Sequence, residues 1–334
     1  HLIILGADPI EGSSRSGASD PMLIAFSDQE NALDFETLST NTAGDIRLSS
    51  GSALIGAVKA RQEILVWTDT ALYSMQFIGP PFTFGVNLIN ENTGLIAPKA
   101  AVTAPSGVFW MGYDNFYVYT GAVKKVPCTV LSYVFDDFNS GQVYKVFGFS
   151  NTMFDEVGWF YPSSSSTEID RYVVYNYAEN VWSYGLLERH AWLDAGVEPL
   201  PRATKDGYLY DHEVGYNDDG SPMTDVYIES SDFDIGDGDQ FAFITKMIPD
   251  VRFLENSADG SINLVLKTRN FPGDSLTTSN TSAISSSTQQ THIRARARQA
   301  VLRVESDDDN VSGNTSTGWR LGATRMEVRP DGRR

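Results

Sequence analysis

The chain has a single cysteine, Cys128, which rules out an intrachain disulfide and any cysteine-based zinc site. Cys128 follows Pro127 in an apolar stretch and has no histidine nearby in sequence, so a small buried side chain is expected there rather than a catalytic thiol. This fits folding in a reducing compartment. No apolar run approaches the ~18 residues of a membrane-spanning helix, and no signal peptide is visible. The chain opens at His1 rather than Met, with Leu2-Ile3-Ile4-Leu5 directly behind it, so a preceding segment is expected.

Positive charge is also scarce. Twenty-five Lys and Arg face 43 Asp and Glu, for a formal net charge of −18. Such a balance argues against a conventional nucleic-acid binder, because the phosphate backbone is held by surplus cations. The charge is uneven. From residue 290 onward nine Arg stand against six acids, a net +3, which leaves −21 for the remainder. Acidic body and basic end suit contact between neighbouring copies.

Catalytic signatures are missing too. There is no G-x-S-x-G elbow, P-loop or G-x-G-x-x-G. His190 and His212 sit in no cluster with the spacing of a metal or acid–base site, so structural or exposed roles are expected. Asp234, Asp237 and Asp239 in DIGDGDQ lack EF-hand spacing and its terminal Glu, and read as an acidic surface turn. No catalytic, cofactor-binding or metal-binding residue is assigned, and the chain is not expected to be an enzyme.

What the chain has in quantity is aromatic residues, 12% of the total, arranged in hairpins. Gly107 to Gly121 reads as a strand (Val108 to Met111), a Gly112-Tyr113-Asp114-Asn115 turn, and a return strand (Phe116 to Tyr119). The design recurs at Ile64 to Met75 and at Glu156 to Tyr175. It recurs again at Tyr175 to Tyr184, which resembles the closing hairpin of a kelch-like blade, and around Asp206-Gly207. Trp67, Trp110 and Trp159 recur at intervals of 43 and 49 residues. Four-stranded propeller blades repeat every ~40–50 residues. The expectation is an all-β chain: a β-propeller over residues 1–219, with Trp67, Trp110, Trp159 and Trp182 as blade core. The competing fold is a β-sandwich with chance aromatic hairpins. Pro127 to Phe138 reads as one helical turn or an edge strand, and Val143 to Phe149 as a strand.

Beyond the turn-rich Asn217 to Pro222 a second domain is expected over 220–334, an antiparallel sheet or sandwich. Its strands are expected at Phe241 to Phe253, Ser261 to Thr268 and His292 to Glu305, with Trp319 to Arg329 pairing with the last. The Ser/Thr-rich stretch 275–291 reads as a mobile loop. Arg294, Arg296 and Arg298 alternate with Ala295 and Ala297, which puts the three guanidinium groups on one face of a strand. With Arg303 they are candidates for subunit-interface or DNA-facing contacts, carboxylate pairing being favoured over DNA. Asp232, Asp234, Asp237, Asp239, Asp307, Asp308 and Asp309 are candidates for acidic channel or surface loops.

Taken in order, several segments resemble the tail-hub or nozzle proteins of short-tailed bacteriophages, the packaged-DNA stabilisation family. They are VWTDTALYSMQFIGPPFTFG from Val66, GVFWMGYDNFYVYTGAVKKVPC from Gly107, EIDRYVVYNYAENVWSYGLLERHAW from Glu168, DGYLYDHE from Asp206, and the C-terminal WRLGATRMEVRPDGRR. The resemblance implies a homohexameric ring in the virion tail, assembled in the host bacterial cytoplasm. It also implies an adaptor ring above, attached fibres or spikes, a needle or plug, and double-stranded DNA passing through the axis. It brings no catalytic residues and no cofactor. The competing functions are a sialidase-like enzyme and a glycan-binding propeller. For the first, Ser257-Ala258-Asp259-Gly260-Ser261 is an incomplete Asp-box. For the second, Tyr113 or Tyr216 would supply an exposed aromatic platform.

Overall fold

The computed structural model describes residues 1–7, 19–219, 221–223, 225–235, 238–254, 260–307 and 318–333. The chain is nearly all β, in several antiparallel sheets, as expected; no closed propeller or barrel forms among the described residues. It divides into two compact units, His1–Glu213 and Val214–Arg334.

The N-terminal unit is a series of five up-and-down sheets, each made of consecutive strands. The first pairs Ile3–Leu5, Leu23–Phe26 and Gly44–Arg47. The second runs Leu54–Lys59, Ile64–Thr68, Ala71–Gly79 and Thr83–Glu91. The third is Ala101–Ala104, Gly107–Met111, Phe116–Tyr119 and Val123–Lys125. The fourth is Phe147–Asn151, Glu156–Tyr161, Arg171–Asn176 and Val181–Leu186. The fifth is Ala191–Leu193, Arg202–Lys205 and Tyr208–Asp211. The sequence hairpin at 107–121 has the expected register, Met111 opposite Phe116 and Val108 opposite Tyr119. Short turns between alternating aromatic and β-branched runs leave little choice but this meander.

The first strands of successive sheets lie side by side along the series. Between the third and fourth sheets the approach is close enough for a parallel bridge, Lys99 to Phe147, with the Gly148 N–H donating to the Lys99 carbonyl at 2.8 Å. Small residues make this possible. Gly56, Ala101 and Gly148 stand on the first strands opposite Trp67, Trp110 and Trp159 on the second strands. A Cβ on Gly148 would lie 2.4 Å from the Val102 side chain, and one on Gly56 would lie 2.9 Å from the Pro98 carbonyl. The three tryptophans are fully buried in a core shared by the second, third and fourth sheets. Their interval in the sequence is therefore a structural repeat. Trp182 is half-buried on the fourth strand of its sheet, a different place in the pattern.

One local alternative is decided and one expectation changes. Leu131–Asp136 is a short α-helix, which decides between helical turn and edge strand. Within Val143 to Phe149 only Phe147 onward is strand; Ser140–Lys145 is a 3-10 turn, started by the Asn139 side chain accepting from the Gly141 N–H.

In the C-terminal unit one sheet runs Tyr227–Glu229, Gln299–Ser306, Ser261–Arg269 and Thr277–Ser285, with Phe233–Asp234 also pairing to Gln299–Ser306. A second holds Ala295–Ala297, Ala242–Ile248 and Arg325–Pro330. Val251–Phe253 pairs with Trp319–Leu321, and Asn217–Asp218 with Ser221–Pro222. Ile244 and Met247 from one sheet share a core with Ile262, Leu264, Leu266 and Val304 from another.

Three expectations fail here. Thr277–Ser285, inside the Ser/Thr stretch read as a loop, is a nine-residue strand paired to Ser261–Arg269. Threonine favours the pleat, and hydroxyl pairs such as Thr268 with Ser279 stand in for apolar contacts. His292 to Glu305 is not one strand. It breaks at Arg298 and its halves join different sheets. Trp319 to Arg329 does not pair with it either; Trp319–Leu321 goes to Val251–Phe253 and Arg325–Pro330 to Ala242–Ile248.

Candidate functional site

The arginines picked from the sequence are placed by the strand that carries them. Ile293, Ala295 and Ala297 point into the core, and Arg294 and Arg296 are exposed on the opposite face. Arg296 stacks on Phe241, 4.0 Å from the ring centre, and ion-pairs with Asp331. Arg298 stands at the break. Its guanidinium donates to the carbonyls of Gly238 and Asp239 at 3.1 Å and of Arg333 at 3.0 Å. Those three bonds hold its side chain at the point where the chain leaves one sheet for the other. Arg303 stacks on Tyr227 at 3.6 Å and pairs with Glu305 and, at 3.8 Å, with Glu229. Arg296, Arg298 and Arg303 thus make contacts inside their own unit, and Arg294 is the outward one of the alternating three.

The acidic candidates are similarly engaged. Asp232 pairs with Arg269, and Asp239 lies 3.3 Å from the Arg333 guanidinium. Asp307 accepts from the Ser261 hydroxyl at 2.7 Å. Asp234 belongs to the short strand beside Gln299–Ser306. Asp237, Asp308 and Asp309 lie outside the described residues, as does most of the incomplete Asp-box. Among the described residues no group of three or more His, Cys, Asp or Glu side chains is arranged to hold a metal ion.

In the N-terminal unit the tryptophans do more than fill volume. The Trp110 indole N–H donates to the Thr93 carbonyl at 3.1 Å, Trp159 to Ala100 at 2.8 Å, and Trp192 to Ser150 at 2.7 Å. Trp182 donates to Pro127 at 2.8 Å. Each bond runs back to the preceding sheet or its connecting segment, so the indoles staple the series together. The Trp67 indole N–H is buried without a partner among the described residues.

A second repeated device uses carboxylates. Asp28 accepts from both the N–H and the hydroxyl of Thr42, at 2.8 and 2.6 Å. Asp69 does the same with Ser52, at 2.8 and 2.5 Å, and Asp170 with Ser163, both at 2.7 Å. The Thr42 bonds hold the Asp28 carboxyl below its ordinary range. At Asp69 burial pushes upward, but the bonds from Ser52 and its neighbours prevail and the net shift is downward. Glu63 behaves alike: burial opposes, while hydroxyls of Ser74 and Tyr119 and the Gln76 amide hold it down. A share of the acidic composition is therefore structural.

A concave place lies near Asp69. A small pocket of about 140 Å³ is lined by Asp69, Thr70, Asn92, Gly94, Tyr113, Asp114 and Tyr117. Tyr113 stands exposed at its edge, and the Tyr117 hydroxyl donates to Asp114 at 2.9 Å. Tyr216, the other aromatic considered for such a role, is half-buried against Gly318. Cys128 is half-buried and burial raises its thiol, which makes it a poor nucleophile at neutral pH. His212 accepts from the Arg189 guanidinium at 3.0 Å and packs on Trp192, whereas His190 is exposed.

Sequence reading missed one constellation. Asn151 and Glu156 are directly opposite across a hairpin of the fourth sheet, and Glu213 reaches them from beyond the fifth. The Asn151 amide donates to the Glu213 carboxylate at 2.9 Å. Burial, and then the nearby Glu213, push Glu156 up to about 7; burial raises Glu213 as well. The only local signal is a Glu opening an otherwise apolar strand.

No protein-family model matches this chain, and no curated protein matches it either.

Proposed function

We propose that this chain is a structural component of a bacteriophage tail: one wedge of a homohexameric nozzle ring, built on propeller blades, through which the genome leaves and which helps retain packaged DNA. The observation that carries the reading is the blade-like series. Five consecutive meander sheets follow one another with their first strands adjacent, and Trp67, Trp110 and Trp159 occupy one repeated place. Four of the five segments that resemble the nozzle family run through this same series. An acidic chain at −18 suits a conduit, since it repels phosphate and lets DNA pass without sticking. The partners on this reading are further copies of the chain, an adaptor ring, fibre or spike proteins, a needle or plug, and DNA in transit. The protein works in the virion tail after assembly in the bacterial cytoplasm, and does so as a structural part rather than an enzyme. Arg294, exposed just before the strand Ala295–Ala297, is the residue of the basic stripe assigned to contact between copies.

Size-exclusion chromatography with light scattering tests the reading. Assembly to six copies at low salt, weakened by Arg294→Glu, is the expected result. A monomer at every concentration and salt contradicts it. A glycan-binding reading has one observation on its side, the small pocket where exposed Tyr113 meets Asp69, Asn92 and Asp114, an aromatic edge beside polar side chains. Tyr113→Ala abolishing retention on a glycan array would favour that reading.

A further inference from the structure

The spaces between neighbouring sheets of the N-terminal unit are not filled alike. Tryptophans fill the core shared by the second, third and fourth sheets. The core between the first and second sheets has none among the described residues, and is made by side chains such as Ile24, Phe26, Val66, Tyr73 and Met75. The strands differ in length as well. Those of the second sheet run five to nine residues, those of the first only three or four. Register puts Ala57, Lys59, Ile64, Val66, Met75 and Phe77 on one face of the second sheet. The short first sheet covers part of that face, and a groove of about 530 Å³ runs over the rest, with Ile3 and Leu5 as its other wall. Val66 and Met75 are fully buried in its floor, and Phe77, 63% exposed, stands at its edge.

The polar side chains that line the groove, Lys59, Arg61, Gln62 and Glu63, all come from the connection between the first two strands of the second sheet, so they gather at one end. Lys59 and Arg61 are exposed, and neither makes an ion pair among the described residues, in a unit where Arg47, Lys145, Arg202 and Lys205 each do. Glu63, the one acid of the lining, does not neutralise them, because Ser74, Gln76 and Tyr119 take its carboxylate. An apolar trough with two uncompensated cations at its end, on a chain of net charge −18, fits one kind of occupant. We propose that this groove binds a single aliphatic chain with an anionic head, a fatty carboxylate, its chain along Val66, Met75 and Phe77 and its head at Lys59 and Arg61. The volume is in the range of small-ligand sites, ~300–1,000 Å³. Each methylene laid on the floor leaves water, and the exposed cations select the charge of the head. A peptide fits less well, since every residue brings a backbone donor and acceptor for which the side chains of the floor have no partner. The proposal holds whether or not the tail reading does.

The test is isothermal titration of the protein with sodium decanoate and sodium dodecanoate below their micellar concentrations, with melting temperature followed in parallel. The expected result is one saturable site per chain, affinity that rises about fourfold for each added methylene, and weakening in salt. Lys59→Ala with Arg61→Ala is expected to lower affinity about tenfold. Ala57 is exposed on the groove face, so Ala57→Trp fills the groove without entering the buried core, and is expected to abolish binding at an unchanged melting temperature. Decyltrimethylammonium, with the same chain and the opposite charge, is expected to bind at least tenfold more weakly than decanoate. Absence of saturable dodecanoate binding to folded protein overturns the proposal. So does equal binding of decanoate and decyltrimethylammonium, or dodecanoate binding unchanged in both variants. Two other occupants would also contradict it. An extended Leu/Glu peptide that binds where dodecanoate does not would assign the groove to a partner's strand, and self-association lost in Ala57→Trp without dodecanoate binding would assign it to a second copy.

Discussion

The two units bury antiparallel sheets with different chemistry. The N-terminal unit is built on fully buried tryptophans, each in the span of a repeat, with indole N–H groups stitching sheet to sheet. The C-terminal unit has an aliphatic core of Ile244, Met247, Ile262, Leu264 and Leu266, and its one tryptophan among the described residues, Trp319, is only half-buried. Carboxylates are held in both ways in each unit, and two sets make the contrast: Asp28 and Asp69 of the N-terminal unit are held by hydroxyl and amide donors, Asp232, Glu305 and Asp331 of the C-terminal unit by arginines. Neutral donors make a contact that ignores salt and fails in acid. Exposed ion pairs do the reverse in salt, because screening reaches them.

The largest way to break this contrast is at the cores. Trp110→Ala removes a fully buried indole and its bond to Thr93, and is expected to cost about 3–5 kcal/mol. Trp319→Ala is expected to cost less, since part of its surface is already exposed to solvent. Denaturant melts of the two variants decide it; equal losses would erase the distinction. Next comes Gly148→Ala. Its new Cβ meets Val102 and the Lys99 carbonyl, and a loss of about 1–3 kcal/mol is expected where sheets three and four approach.

Smaller effects separate the carboxylates. Asp69→Asn weakens the Ser52 clasp by about 1 kcal/mol, unchanged between low and high salt. Asp331→Asn, which loses the exposed Arg296 pair, is expected to cost less than ~1 kcal/mol, and only at low salt. The smallest effect is on the acid limb. Asp28, Asp69 and Glu63 have folded-state values below their ordinary 3.8 and 4.5. Their contribution is therefore fully present above the unfolded values and lost as pH falls through the lowered folded ones. Melting temperature should hold between pH 7 and 5 as far as these groups are concerned and drop below about 4, with Asp69→Asn shallower than wild type. An Asp69→Asn curve parallel to wild type below pH 4 would remove Asp69 from this account.

The same division explains what could be read from sequence. Hairpins such as 107–121 are legible because each strand alternates aromatic and β-branched residues around a Gly/Asp/Asn turn, so local preference and tertiary placement agree. The strand Thr277–Ser285 was hidden because its cross-strand contacts are hydroxyl pairs, and a hydropathy pattern cannot see them. At the break, Arg298 bonds to carbonyls of Gly238, Asp239 and Arg333, all remote in sequence. The alternation through Arg294 and Arg296 gave the correct exposed face, but the partners Phe241 and Asp331 come from other strands. Asn151, Glu156 and Glu213 meet only because the fifth sheet returns the chain to the fourth, and a sequence carries no spacing rule for that.

Cryo-electron microscopy of the purified protein, at concentrations where light scattering reports assembly, bears most directly on the conduit reading. The account predicts sixfold rings with an axial channel, the sheet series of each copy forming a wedge. Isolated single copies with an occupied pocket beside Tyr113, and no rings at any concentration, would contradict it and put glycan binding in its place.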